Sequence, residues 1–180
     1  MHKRPIVTIL IILIGSMALH AQGIGIGPIL GIHKSADAEG STLMGGVALR
    51  LKLSPALGVE GSIQYRQEKY AGDNLTVRSW PVMVTGLIYP LPILYGAIGA
   101  GWYNTTYDYN QTAGILIKDK TDQTFGWHLG GGLELPLGPK TKLSGDIRYV
   151  FLDYDFDRIP GAEDLDSDFY VISIGLFFGL

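Results

Sequence analysis

The chain contains no cysteine. That excludes a disulfide scaffold, a cysteine metal site and a lipid-modified cysteine near the start. Charge is also sparse, at 17% of residues. No apolar run is long enough and smooth enough for a membrane helix. The longest uncharged stretch, SWPVMVTGLIYPLPILYGAIGAGWYNTTY, is broken by Pro81, Pro90, Pro92, Gly86, Gly96, Gly99 and Gly101. A lone helix there would also sit in a chain that otherwise reads as strands. What is abundant is glycine, 25 of 180 residues, in a chain of positive mean hydropathy, +0.21.

The first residues, MHKRPIVTILIILIGSMALHA, carry Lys3 and Arg4 ahead of an apolar segment from Ile6 to Ile14. This is the pattern of a secretory signal peptide, too short for a span of ~20 residues. Cleavage is expected after Ala21, with Ser16-Met17-Ala18 as the other small-x-small site. The expected organisation is a leader over 1–21 and one domain over 22–180. Removing the leader takes the net charge from −3 to −5, which argues against nucleic acid as a partner.

Connections alternate in length along the rest. Short proline-marked breaks fall at Ser54-Pro55-Ala56, Tyr89–Pro92 and Pro136–Lys140. Longer polar stretches fall at Lys34–Thr42, Gln67–Thr76, Asp108–Asp122 and Asp153–Asp168. Seven connections imply eight strands. In an up-and-down sheet their alternation puts every long loop at one end, as in outer-membrane barrels. Period-two patterning supports the strands. Val47, Leu49, Leu51 and Leu53 alternate with Arg50 and Lys52, and Leu143, Ile147, Tyr149 and Phe151 alternate with Ser144, Asp146 and Arg148. The closing stretch puts Tyr170, Ile172, Ile174, Leu176, Phe178 and Leu180 on one face, and is expected to pair with the seventh and first strands. Strands four and five read as a hairpin around Pro90 with no assignable inward face. Pro28 and Pro81 fall inside strands, where a bulge or strand end is expected to absorb them.

Two closed barrels fit this pattern. A soluble, lipocalin-like barrel puts apolar residues inside; a membrane barrel puts them outside. Eight strands leave a lumen barely wide enough for side chains. Large apolar residues oppose a glycine-rich polar face, so the membrane form is expected. Trp80, Trp102, Tyr103, Tyr107, Phe125, Trp127, Tyr149, Phe151, Phe169 and Tyr170 gather near strand ends, like an interfacial aromatic girdle. The fold class expected is all-β: an eight-stranded antiparallel up-and-down transmembrane β-barrel.

The runs WHLGGGLELPLGPKTKLSGDIRYVFLDYD, YGAIGAGWYNTTYDY and VISIGLFFGL resemble small outer-membrane β-barrel proteins of the opacity-protein and outer-membrane-protein-A type. The resemblance covers Gln22 to Leu180. It implies the outer membrane of a Gram-negative-type bacterium, outer-membrane lipid as surroundings, and the barrel-assembly machinery as a partner that reads the closing strand. Such strands usually finish on an aromatic residue; here Leu180 follows Phe178 by two. The wall-binding domain of larger relatives is not expected to follow.

Arg50, Lys52, Glu60, Arg66, His128, Glu134, Asp146 and Arg148 are the expected inward charges, paired into a network that fills the lumen, because unpaired buried charge is costly. A narrow pore or small-solute transporter is the alternative. His33 and His128 are candidate bases for a lipid-modifying enzyme, but no nucleophile motif accompanies them and no catalysis is expected. Ser35 is near His33 in sequence only. Asp153, Asp155 and Asp157, with Glu163, Asp164, Asp166 and Asp168, are oxygen-rich, yet Arg158 stands where a calcium loop wants glycine, so a solvated loop is expected. GIGIGPILG lacks the lysine and helix of a phosphate-binding loop. No cofactor is expected. The role expected is structural or surface-interactive, adhesin-like, through loops whose sequence specifies no ligand.

Overall fold

The computed structural model describes residues 23–35, 41–70, 75–109, 120–152 and 168–180; the expected leader lies outside them. Eight strands close into an antiparallel barrel in chain order: β1 (Gly23–Ser35), β2 (Thr42–Lys52), β3 (Leu57–Tyr70), β4 (Leu75–Leu91), β5 (Leu94–Tyr109), β6 (Lys120–Pro136), β7 (Thr141–Leu152) and β8 (Phe169–Gly179). β8 closes it, pairing with β7 and with β1 from Gly25↔Gly179 to Ser35↔Phe169. The apolar final strand therefore has no open edge, which is how a barrel satisfies its backbone within lipid. Among the described residues no helix is long and apolar enough to cross a membrane.

The face assignment follows the period of two. Leu30, Val47, Ile63, Val84, Ile98, Leu129, Ile147 and Ile174 are exposed on the outside, while Arg50, Glu60, His128, Glu134, Asp146 and Arg148 are buried within. This is the reverse of a soluble barrel, and it removes the lipocalin-like alternative.

At one end the turns are short. Ser54 Oγ accepts from the amides of Ala56 and Leu57 at 3.3 and 3.0 Å, closing the β2–β3 turn. β4 and β5 turn at Pro92-Ile93, with Leu91↔Leu94 as the last pair and a bulge after Ile88, so the hairpin pivots two residues beyond Pro90. At the other end the strands run further than the polar composition suggested. Pairing of β3 with β4 continues through Gln67↔Arg78 to Tyr70↔Leu75, so most of the stretch expected as a long loop is strand. Seventeen residues, as in β4 and β6, reach about 55 Å at ~3.3 Å per residue, well beyond an apolar band ~25 Å tall.

Neither internal proline needs a bulge. Around Pro28 the β1–β8 ladder drops Gly27 and Pro28, then resumes with unchanged offset from Ile26↔Phe178 to Ile29↔Gly175. On the other side Pro28↔Val47 stays paired. Gly27 is needed there, since an added Cβ would lie 1.7 Å from the Leu176 carbonyl oxygen. Pro81 repeats the device: the β3–β4 ladder skips from Ile63↔Val82 to Arg66↔Ser79, while Pro81↔Tyr103 holds. The cost is one side of the ladder over two residues, with register kept.

The aromatic girdle is partly as expected. Trp80, Trp102, Phe125, Trp127 and Tyr170 are exposed on the outside. Trp127 stacks on Phe151 at 3.9 Å, and Tyr149 meets Tyr170 at 4.6 Å. Tyr103 and Phe169 are not part of it. Their parity points them inward, where they are 1% and 3% exposed. The side chain of Tyr107 lies outside the described residues.

Candidate functional site: the barrel lumen

The lumen is built in layers. The central one is ionic. Glu60 on β3 accepts from Arg50 Nε at 3.1 Å and Nη2 on β2, and from Arg148 Nη2 at 2.8 Å on β7. Arg148 also donates to both oxygens of neighbouring Asp146, at 3.1 and 3.0 Å. Arg50 Nη1 reaches Glu134 on β6 at 2.7 Å, and Lys142 Nζ takes the other oxygen of Glu134 at 2.8 Å. Tyr89 donates to Glu134 at 3.1 Å; Tyr95 and Ser173 donate to Asp146 at 2.8 and 3.0 Å. Three cations, Arg50, Arg148 and Lys142, thus meet three carboxylates, Glu60, Glu134 and Asp146. Buried charge is tolerable only in such a paired, hydrogen-bonded state.

Five of the eight charges singled out in sequence, Arg50, Glu60, Glu134, Asp146 and Arg148, form this network. The other three take different partners. Lys52 lies 4.2 Å above the ring of Tyr89. Arg66 lies over Phe169 at 4.1 Å and Tyr103 at 5.8 Å, away from the central carboxylates. His128 Nε2 meets the Thr85 hydroxyl at 2.9 Å, and Arg148 Nη1 donates to that hydroxyl at 3.3 Å. Lys142, Tyr89, Tyr95, Thr85 and Ser173 were missed. Lys142 was within reach, since it shares the parity of Ser144, Asp146 and Arg148. The two tyrosines and Thr85 lie on the hairpin whose facing the uncharged sequence left open.

The lumen is also less polar than the sequence suggested. Toward the long-connection end, Met44, Met83, Tyr103, Val150, Leu152, Phe169 and Val171 form an apolar cluster. The glycines explain how large side chains fit in so narrow a barrel. A Cβ on Gly132 would come within 2.7 Å of the Tyr95 hydroxyl, and one on Gly99 within 2.6 Å of His128 Nε2. Glycine on one strand makes room for the large residue beside it.

The ionic layer separates two spaces. At the short-turn end a cavity of about 360 Å³ reaches down to Arg50, Glu134 and Phe177. Beyond the layer lies a void of about 20 Å³ beside Gln64, His128 and Arg148.

Thr85 and His128 are a hydroxyl–imidazole pair, and both are fully buried. His33 is buried with its ring edge to Phe169 at 5.8 Å; the side chain of Ser35 is not among those described. Among the described residues no three His, Asp or Glu side chains gather to hold a metal. Asp153 to Asp166 lie outside them. Asp168 instead accepts from the Leu152 amide at 2.9 Å and the Tyr149 hydroxyl at 3.1 Å, tying β7 to β8. GIGIGPILG is the body of β1. In β8, Tyr170, Ile172, Ile174 and Phe178 are exposed on the outer face and Leu176 is half-buried there; Leu180, just after the strand, is exposed.

Solved structures of similar fold are small outer-membrane barrels. A major outer membrane protein of Thermus thermophilus matches at TM-score 0.57 and 14% identity, covering 87% of this chain and 99% of that one. The attachment invasion locus protein Ail of Yersinia pestis matches at 0.55 and 16%, covering 88% and 97%. OprG of Pseudomonas aeruginosa matches at 0.54 and 15%, covering 89% and 97%. No curated protein sequence matches. The profile of the outer membrane protein beta-barrel domain matches residues 6–178. The chain belongs to that family: it is an outer-membrane β-barrel protein.

Proposed function

We propose that the protein is a closed membrane-embedded scaffold, exported by its leader over 1–21, that displays four longer connections at the outer surface for structural or adhesin-like contacts. The carrying observation is the ionic layer. The chain Glu134–Arg50–Glu60–Arg148–Asp146 crosses the lumen from β6 through β2 and β3 to β7 and leaves separate spaces on its two sides. Eight strands give no width to bypass it. Insertion through the barrel-assembly machinery, reading the apolar row of β8, is part of the same reading.

The test is conductance in planar bilayers of protein refolded to its compact, heat-modifiable form on gels. The expected result is silence at moderate voltage. Discrete steps from the unaltered protein would overturn the closed scaffold in favour of a narrow pore, a reading that the cavity at the short-turn end would then serve as an entrance. Lipid modification is unsupported by the buried Thr85–His128 pair; lipid A and phospholipid profiles unchanged on overproduction are expected.

A further inference from the structure

We infer that the short-turn mouth of the barrel is a binding site for a small free oxyanion, a phosphate or a compact polycarboxylate. The single entrance of this site rests on the closed lumen of the proposed function. The cavity there, about 360 Å³, is lined by Arg50 and Lys142, which the ionic layer already pairs, by two further cations, Lys52 and Lys140, and by Glu134 and the last residue, Leu180. Glu134 is already committed, to Arg50 at 2.7 Å, Lys142 at 2.8 Å and the Tyr89 hydroxyl at 3.1 Å. Among the described residues no carboxylate lies within salt-bridge distance of Lys52 or Lys140. Lys52, Arg50, Lys142 and Glu134 are close enough to feel one another's charge. Arg50 and Lys142 belong to the balanced ionic layer; Lys52 and Lys140 are the positive charge it leaves over at the mouth.

A concave, low-dielectric wall lined by one sign of charge focuses its potential on the solution inside it. Ammonium groups act there as hydrated point charges suited to phosphate and carboxylate oxygens. The shape of the occupant follows from what is covered. Lys52 lies on the Tyr89 ring at 4.2 Å and Arg50 on the Phe177 ring at 4.3 Å. These two rings are the aromatic lining of the cavity, and a cation already lies on each, which favours a compact oxyanion over a nucleotide or aryl ligand. The source follows from direction. Lys52 shares the inward parity of Arg50, and Lys142 that of Asp146 and Arg148, so both ammonium groups serve the mouth and not the lipid wall. The site is a vestibule with one door, since Arg50 and Glu60 shut its floor.

The test is a titration of the full chain, refolded in zwitterionic detergent and labelled with nitrogen-15, with sodium phosphate at constant ionic strength against sodium chloride. Saturable amide shifts at Lys52 and Lys142 with phosphate and not with chloride are expected. Lys52→Gln and Lys140→Gln are each expected to weaken binding roughly fivefold, the effect of one unit charge at close range in water. Lys140 is exposed in a turn, so that variant keeps the fold; compact migration on unheated gels checks both. Equal, non-saturating shifts with the two salts would overturn the site, as would unchanged affinity in both variants. Shifts seen only in nanodiscs containing phosphatidylglycerol, and absent with phosphate in detergent, would also overturn it, because they would assign these lysines to lipid headgroups.

Discussion

Glu60 is the residue on which the ionic layer depends most. It is fully buried and joins the guanidinium of Arg50 on the adjacent strand β2 to that of Arg148 on β7 across the barrel. Removing one partner of a buried ion pair costs about 3–5 kcal/mol, because the remaining charge is left uncompensated. Two pairs break in Glu60→Gln, yet the costs do not add. Arg50 keeps Glu134 at 2.7 Å and Arg148 keeps Asp146 at 3.0 Å. The expected loss is therefore about 3 kcal/mol, at the lower edge of that range. The assay is urea unfolding of the barrel refolded into phosphatidylcholine vesicles. Its three tryptophans, Trp80, Trp102 and Trp127, all lie on the outer face and report insertion without touching the lumen. With a slope of ~1–3 kcal/mol per molar urea, the midpoint falls by roughly 1–3 M. A second variant tests the cause. Glu60→Met combined with Arg50→Met leaves two whole pairs, Arg148–Asp146 and Lys142–Glu134. Methionine can also pack on the Phe177 and Tyr95 rings that Arg50 covers. The double variant is expected to recover most of what Glu60→Met alone loses. A Glu60→Gln loss under ~1 kcal/mol, or a double variant no more stable than the single one, would refute the reasoning. Either result would mean that lumen water screens these charges as solvent screens a surface pair.

Glycines on the two faces should behave oppositely. Gly132→Ala puts a Cβ 2.5 Å from both the Asp146 Cβ and the Gly145 oxygen, so a loss of about 2 kcal/mol is expected in the same unfolding assay; an unchanged midpoint would show that the lumen yields freely. A Cβ on Gly96 would meet nothing within 4 Å on the outer face, and Gly96→Ala trims the freedom of the unfolded chain, so a gain of about 0.5–1 kcal/mol is expected, and a lowered midpoint would count against an open, lipid-facing position.

The strands were legible wherever a charge marked the inner face. Arg50 and Lys52 orient β2, Glu60 and Arg66 orient β3, and Asp146 and Arg148 orient β7, because no lipid-facing position tolerates them. The β4–β5 hairpin carries no such marker between Ser79 and Tyr107. Its inner face, Met83, Thr85, Leu87 and Tyr89 with Tyr95, Ala97 and Tyr103, is nearly as apolar as its outer one. Period two survives there, but its phase does not. The same ambiguity misplaced Tyr103 and Phe169. An aromatic near a strand end suits a lipid interface and an apolar lumen layer equally, and only register decides between them. The extra length of β3 and β4 was hidden for another reason. Gln67 to Lys69 and Thr76 to Arg78 are mostly polar in sequence, so they read as loop while pairing as sheet.

Charge partners were less legible than charge facing. Parity brought eight ionisable side chains into one lumen, but height along the barrel sorts them, and height depends on stagger between strands that are distant in sequence. Glu60 and Arg148 are 88 residues apart and Arg50 and Glu134 are 84 apart; no local spacing encodes either contact. Arg66, six residues from Glu60 on the same face of β3, rises out of the ionic layer and into aromatic rings. Lys52, two residues from Arg50, drops out of it toward the short turns. The same stagger that balances charge at the centre leaves a surplus at the mouth. The bridged middle and the lysines at the entrance are thus two results of one register.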